Sequence, residues 1–256
     1  MVGGNISKTI LGVIPARYES SRFPGKPLAD ICGKPMIWHT YNRVRMAKGM
    51  DKVVVALDDE RVANVCDSYD IDYIFTSNSH FNGESRVAEV SSAIDSDYYL
   101  MICGDEPIID PDAITKMCDI IQSNGDQGEV ITFRCPIHNP VDIANPTIIK
   151  VVVNKTNHIL MASRSTIPFP SSSIDFDYYK VTGIYAYPKR IMKIYRDLPI
   201  GPLERIENHG IIRLIENEIS ILSIPFDFQT ISVDTPKDIE RVKSLIIKNQ
   251  MLIDDS

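Results

Sequence analysis

The sequence is short of cysteine, with five in 256 residues, and none of them stands in a C-x-x-C pair. Cys32, Cys66, Cys103, Cys118 and Cys135 have no regular spacing, which excludes a zinc ribbon or a disulfide framework and suits a reducing cytoplasm. Long hydrophobic runs are missing too: nothing approaches the roughly 18 apolar residues of a membrane span, so no membrane partner is expected. Met1 to Lys8 is polar and glycine-rich, and no cleavable signal is expected there. Positive charge is not in excess. A net charge of −7 argues against a nucleic-acid partner, so any bound anion must be held by a local cluster. The five histidines form no cluster either. What is present is an ordinary globular composition, 44% apolar and 24% charged, sufficient for a packed core.

Short apolar runs alternate with helical periods along the first half. Thr9 to Ile14 reads as a buried strand stopped by Pro15, and PARYESSRFPGK after it as a loop. Pro35 opens a helix with Ile37, Tyr41 and Val44 on one face, closed by Gly49. Strands are expected at Lys52–Ala56, Asp72–Phe75, Tyr98–Ile102 and Glu129–Arg134, and helices at Arg61–Tyr69, Glu84–Ile94 and Asp112–Ser123. This alternation predicts an α/β fold, a mostly parallel, doubly wound sheet with helices on both faces. After Pro136 the pattern changes to a hairpin (148–154 and 158–163) and a strand at Lys180–Tyr187. Helices at Lys189–Leu198 and Pro202–Asn217, two short strands and a last helix bearing Ile239, Val242, Leu245 and Ile246 complete the reading. Residues 1–256 are read as a single domain with a β-rich insertion at about 136–187.

Ligands of doubly wound sheets bind beyond the carboxyl ends of the strands. Two loops there are chemically loaded. Arg17, Ser20, Ser21, Arg22, Gly25 and Lys26 follow the first strand and offer the cations, hydroxyls and open backbone that a polyphosphate needs, although a solvated surface loop would look similar. Gly104-Asp105-Glu106-Pro107 ends an apolar strand, where carboxylates can hold Mg²⁺ or simply make a turn. Asp234, after the expected strand Thr230–Val233, is either a helix N-cap or a partner of Asp105 on one cation.

The stretch IPARYESSRFPGKPLADICGKPMI closely resembles the signature of the 3-deoxy-manno-octulosonate (Kdo) cytidylyltransferases, and GDEPII, SRSTIPF, GIYAYPKR, GPLERIE and VDTPKDIERV continue the likeness in order through nearly the whole chain. The resemblance implies a nucleotide-diphospho-sugar-transferase-like fold and transfer of CMP from CTP to an acidic sugar, with release of pyrophosphate and Mg²⁺ as cofactor. It assigns Pro15, Ala16, Arg17, Ser20, Ser21, Lys26, Asn82, Gly83, Arg86 and Gly104 to the nucleotide. Arg17, Lys26 and Asp105 become the catalytic set and Asp105 and Asp234 the metal ligands. It also implies a homodimer.

Departures from the family pattern gather on the acceptor side. The base-reading segment H-x-S-G-T-E-R appears as His80-Phe81-Asn82-Gly83-Glu84-Ser85-Arg86. The family's glutamine before GDEP is Cys103, its histidine before GIY is Val181, and its L-E-Q-L-R helix motif is His209-Gly210-Ile211-Ile212-Arg213. Arg164 and Tyr185 remain, so Arg164, Tyr185, Cys103, Val181 and His209 are the expected acceptor contacts. Hydroxyls left unpaired at such a wall cost about 1–3 kcal/mol each, so an altered acceptor is expected: an amino-substituted 3-deoxy-octulosonate, or another acid such as a phosphonate. Kdo itself remains the acceptor if waters or shifted side chains such as His209 or Thr182 restore those bonds. A glycosyltransferase using GDEP as its metal motif, and a binding protein that has lost the reaction, are the alternatives. The triphosphate-type loop weighs against the first, and the retained Arg17, Lys26, Asp105 and Asp234 against the second.

Overall fold

The computed structural model describes residues 7–20, 23–123, 128–172, 175–228 and 231–254. The strands are β1 (Ile10–Ala16), β2 (Asp30–Ile31), β3 (Lys34–Pro35), β4 (Lys52–Leu57), β5 (Tyr73–Phe75), β6 (Tyr98–Ile102), β7 (Val130–Pro136), β8 (Lys150–Val153), β9 (Ile159–Ser163), β10 (Tyr179–Pro188) and β11 (Ile221–Pro225). The helices are α1 (Met36–Met46), α2 (Glu60–Ser68), α3 (Gly83–Ala93), α4 (Pro111–Ser123), α5 (Pro140–Ile143), α6 (Lys189–Asp197), α7 (Pro202–Glu207), α8 (Ile211–Glu216) and α9 (Pro236–Asp254).

The main sheet runs β11-β7-β10-β6-β1-β4-β5, and β10 alone lies antiparallel to its neighbours β6 and β7. The side chains of β1, β4 and β6 alternate between two cores, as the period of two demands. Ile10, Ile14, Val55 and Leu100 pack with Ile37, Val62 and Ile114 of α1, α2 and α4. Leu11, Val13, Val54 and Met101 pack on the opposite face with Val87, Met192 and Leu214 of α3, α6 and α8. Both faces are covered, and that is why these strands read as unbroken apolar runs. The hairpin β8–β9 joins the sheet through Val151 and Lys150, which pair with Tyr179 and Lys180 at the start of β10. A third cluster, Ile31, Met36, Val233, Ile239 and Val242, clamps α9 against the small β2–β3 hairpin.

Two expectations are corrected. The helix read over Pro202–Asn217 is two helices, because Asn208 takes a left-handed conformation (φ 51°) that ends α7. The strand expected at Thr230–Val233 is not one: Thr230 lies outside the described residues, and 231–233 run as extended chain. Val233 N nevertheless donates to Asp105 O at 2.8 Å and fastens this segment to the loop after β6. Among the described residues no helix is long and apolar enough to cross a membrane.

Candidate active site

A cleft of about 530 Å³ opens where β1 and β6 end and α3 begins. The sheet has to leave room there, because Gly104 presses on the end of β1: a Cβ on it would lie 2.5 Å from Pro15 O. Pro15, Ala16, Arg17, Ser20 and Lys26 line the cleft from the first loop, and Asn82, Gly83 and Arg86 from the start of α3. Cys103, Gly104, Asp105 and Asp234 line it from the strand ends, and Arg164, Tyr185 and His209 from the second half. Ser21 lies outside the described residues. Val181 is not part of the lining. Its amide donates to Ile149 O at 3.1 Å and it pairs with Arg134 of β7, so neighbours on both sides of β10 hold it.

The phosphate-type loop is folded on itself. Gly25, at φ 72°, donates its amide to Tyr18 O at 2.9 Å, a conformation that favours glycine. The turn delivers Lys26 into the cleft, where its Nζ lies 2.6 Å from Asp105 Oδ2, 2.9 Å from Val233 O and 3.9 Å from Asp234 Oδ1. Both carboxylates thus converge on one cationic atom. Asp238 reaches back to the amides of Asp234 and Thr235, at 3.0 and 2.7 Å, and fixes the start of α9. Among the described residues no group of three His, Cys, Asp or Glu side chains gathers as a metal cage. Asp105 and Asp234 are the residues that could hold a divalent cation here, a hard ion that takes carboxylate oxygens.

At the start of α3, Asn82 and Ser85 form a capping box, with Ser85 N donating to Asn82 Oδ1 at 2.9 Å. The exchange of Thr-Glu for Glu84-Ser85 therefore keeps the helix start intact. Arg86 is 2% exposed and is committed to the protein, with NH2 donating to Asp58 Oδ2 at 2.7 Å and NH1 to Thr76. Asp58 Oδ1 in turn accepts from Tyr18 N at 3.2 Å, so Arg86 braces the phosphate-type loop through Asp58. Nothing in the local sequence marked Asp58, which ends β4 without a motif around it.

The other end of the cleft is walled by β10 and the break between α7 and α8. Tyr185 Oη and His209 Nε2 are 3.3 Å apart. Burial, with Arg164 nearby, pushes the imidazole of His209 down to about 3, so it is neutral and its enclosed Nδ1 finds no hydrogen-bond partner among the described residues. Burial also raises the thiol of Cys103 well above its ordinary range, so it is present as S–H. Arg164 donates from Nε to Glu207 O (2.8 Å), from NH1 to Pro146 O (3.0 Å) and from NH2 to Asn208 O (3.4 Å), closing α7 while its charge faces the cleft. Behind it, the fully buried Lys150 donates to Asn145 O, Ile148 O and Arg164 O.

One wall residue escaped sequence reasoning. Glu84 is 4% exposed, lines the cleft and fills the space before Gly210, where a Cβ would lie 2.3 Å from its carboxyl carbon. Burial, helped by Glu204, pushes its carboxyl up to about 7. The Glu84 and Gly210 departures are each visible in the sequence, but their sharing of one space is visible only in the fold.

The family model described as Cytidylyltransferase matches residues 11–221. The chain is 39% identical over 242 residues to a 3-deoxy-manno-octulosonate cytidylyltransferase from Solibacter usitatus (strain Ellin6076), covering 93% of this chain and 94% of that one. It is 36% identical to an 8-amino-3,8-dideoxy-manno-octulosonate cytidylyltransferase from Shewanella sp. (strain ANA-3), covering 90% and 95%. A solved CMP:2-keto-3-deoxy-manno-octonic acid synthetase complexed with CTP superposes with a TM-score of 0.86 at 37% identity, covering 94% of this chain and 99% of that one. The chain belongs to the cytidylyltransferase family and is a nucleotidyltransferase that transfers a cytidylyl group.

Proposed function

We propose that the chain transfers CMP from CTP to a 3-deoxy-octulosonic acid and releases pyrophosphate, with magnesium held by Asp105 and Asp234. The observation that carries this reading is the convergence of both carboxylates on Lys26 Nζ at the nucleotide end of a cleft whose other end is walled by Arg164, Tyr185 and His209. The acceptor class is supported by the names of the relatives from Solibacter usitatus and Shewanella.

An acceptor hydroxyl attacks the α-phosphorus in line with the departing pyrophosphate, and no covalent enzyme intermediate is needed. Lys26 exchanges its carboxylate partner for phosphate oxygens and stabilises the charge that grows as pyrophosphate leaves. Arg17, exposed at the rim, and Ser20 meet the β and γ groups. Gly83 lies against Pro15 and lets the backbone at the start of α3 approach the base. Magnesium bound at the two aspartates would neutralise the phosphates and lower the pKa of the attacking hydroxyl. His209, titrating near 3, is a neutral polar contact rather than a general base at pH 7.

The test is pyrophosphate release from CTP and Mg²⁺ with 3-deoxy-manno-octulosonate, its 8-amino-3,8-dideoxy counterpart and a panel of other acids, phosphonates included. CMP esters of at least one octulosonate are expected. Release with none of the octulosonates would refute the acceptor class.

A cytoplasmic homodimer belongs to the same proposal. All five cysteines are unpaired thiols, as a reducing compartment keeps them. The segment 136–187 exposes Val141, Leu160, Phe169 and Phe176, apolar surface that a second copy could cover. Light scattering that gives a mass near the 28.8 kDa of one chain at micromolar concentration would contradict the dimer.

A further inference from the structure

The acceptor end of the cleft contains a carboxylate with no cation of its own. Glu84 on α3 lines the cleft, Glu204 on α7 is fully buried, and the guanidinium of Arg213 on α8 attracts both. Arg213 is spent on Glu204 in a two-point pair, Nε to Oε2 at 2.7 Å and NH2 to Oε1 at 2.8 Å. Asn82 Nδ2 also donates to Glu204, at 2.6 Å. No ion pair reaches Glu84 among the described residues. The polar group at 210 is gone, and the carboxylate stands in the space it would need.

Apart from Arg213, which attracts Glu84 from a distance but hydrogen-bonds to Glu204, the neighbours of Glu84 supply no positive charge. Tyr185, Tyr187 and Tyr195 have hydroxyls raised far above their ordinary range by burial, Cys103 is a thiol, and His209 is neutral. A buried carboxylate in such a wall is left strained unless a ligand brings the counter-charge. A hydroxyl brings a hydrogen bond but no charge. An ammonium brings both, and charge-assisted bonds are the stronger kind.

We propose that Glu84 selects the acceptor by receiving an ammonium group on it, so that the substrate is an amino-substituted octulosonic acid whose own carboxylate lies toward Arg164. This rests on the octulosonate reading above. It makes the acceptor a zwitterion held between an anion on α3 and a cation after β9. The reduced polarity elsewhere in the wall, at Cys103, then reflects specialisation rather than decay.

The experiment compares kcat/KM for 3-deoxy-manno-octulosonate and for 8-amino-3,8-dideoxy-manno-octulosonate, using the full chain, CTP and Mg²⁺. The wild type is expected to favour the amino acceptor by roughly 10- to 100-fold, the range of a hydrogen bond to a charged group. Its kcat/KM for that acceptor should rise as pH increases through about 7, where Glu84 ionises, and the value for the hydroxy acceptor should not follow. Glu84→Gln keeps the side-chain volume and removes the charge. It should lose the preference, the ratio of kcat/KM for the two acceptors falling toward one, and the pH dependence seen with the amino acceptor should go with it. A wild type that prefers the hydroxy acceptor, or a Glu84→Gln variant that loses activity on both acceptors equally, overturns the assignment and leaves octulosonate transfer standing. Failure with both acceptors in the wild type overturns the two readings together. The wild-type preference and its pH profile can be read whether or not any variant folds.

Discussion

Lys26 Nζ donates to Asp105 Oδ2 at 2.6 Å, so the loop after β1 and the turn after β6 hold each other in place. On the proposed reading substrate parts them, and each then gains a stronger partner: phosphate oxygens for the lysine, a divalent cation for the aspartate. The pair keeps two oppositely charged groups half-buried without leaving either unpaired.

Lys26→Ala is expected to lower kcat by about 100-fold or more, as removal of a single transition-state donor commonly does, with a smaller change in KM for CTP. Steady-state kinetics with CTP as the varied substrate checks this. A raised KM with kcat intact would assign Lys26 to ground-state binding.

Asp105→Asn and Asp234→Asn should each abolish Mg²⁺-dependent turnover while leaving the circular dichroism and unfolding midpoint close to wild type. Both side chains sit at strand or helix ends, outside the apolar clusters. A Mg²⁺ titration on each variant is the measurement, and full activity at saturating Mg²⁺ would remove that residue from the metal site.

Arg86→Ala is expected to destabilise the chain by about 3–5 kcal/mol, because it strands Asp58 in a pair whose side chains are only 3% and 9% exposed. Urea unfolding reads this directly. An unchanged midpoint would mean that the brace from α3 to Tyr18 carries no weight, and would return Arg86 to base reading alone.

The carboxyl of Glu84 titrates near 7 in the folded chain, against an ordinary 4.5. Between these values the folded state keeps a proton that the unfolded state releases. The resulting stability is therefore complete below pH 4.5 and lost as pH rises through about 7. Glu84→Gln has no such proton to lose, so relative to wild type it should gain on the order of a few kcal/mol between pH 5 and pH 8. Urea midpoints of both proteins at the two pH values test the sign, and a constant difference would refute the shift.

The sheet was legible because its strands are apolar on both faces and are bounded by Gly104 and polar turns, although Pro15, read as the stop of the first strand, lies inside β1 and pairs with Ala56. β6 coincides with its expected limits, and α1 begins one residue after the proline that announced it. The break at Asn208 was hidden because Leu203, Ile206, Ile211 and Leu214 continue a helical rhythm across it, and nothing in that rhythm reveals one left-handed residue. The nucleotide loops stood out because charged and small residues cluster at strand ends. Two acceptor residues were only partly legible. Arg164 lines the cleft as expected but also closes α7 through three carbonyls, which the sequence did not show. Val181, which stands where the family has a histidine, lies outside the lining within β10. Glu84 could not be weighed without Gly210, which the chain reaches only after β10 has been laid down.

The place of β10 bears on how the chain assembles. β6 and β7 follow one another in sequence but never touch as neighbours, because β10 is threaded between them. Until residues 179–188 are available, each of those strands has a raw edge, and the two cannot pair in the native order. On a ribosome, the β1–β4–β6 half is complete well before its missing neighbour emerges. Closure of the sheet is thus a late, long-range event of the slow kind. Pulse-labelled hydrogen exchange during refolding should find the amides of β1 and β4 protected before those of β7 and β10, and simultaneous protection would show a single nucleus instead.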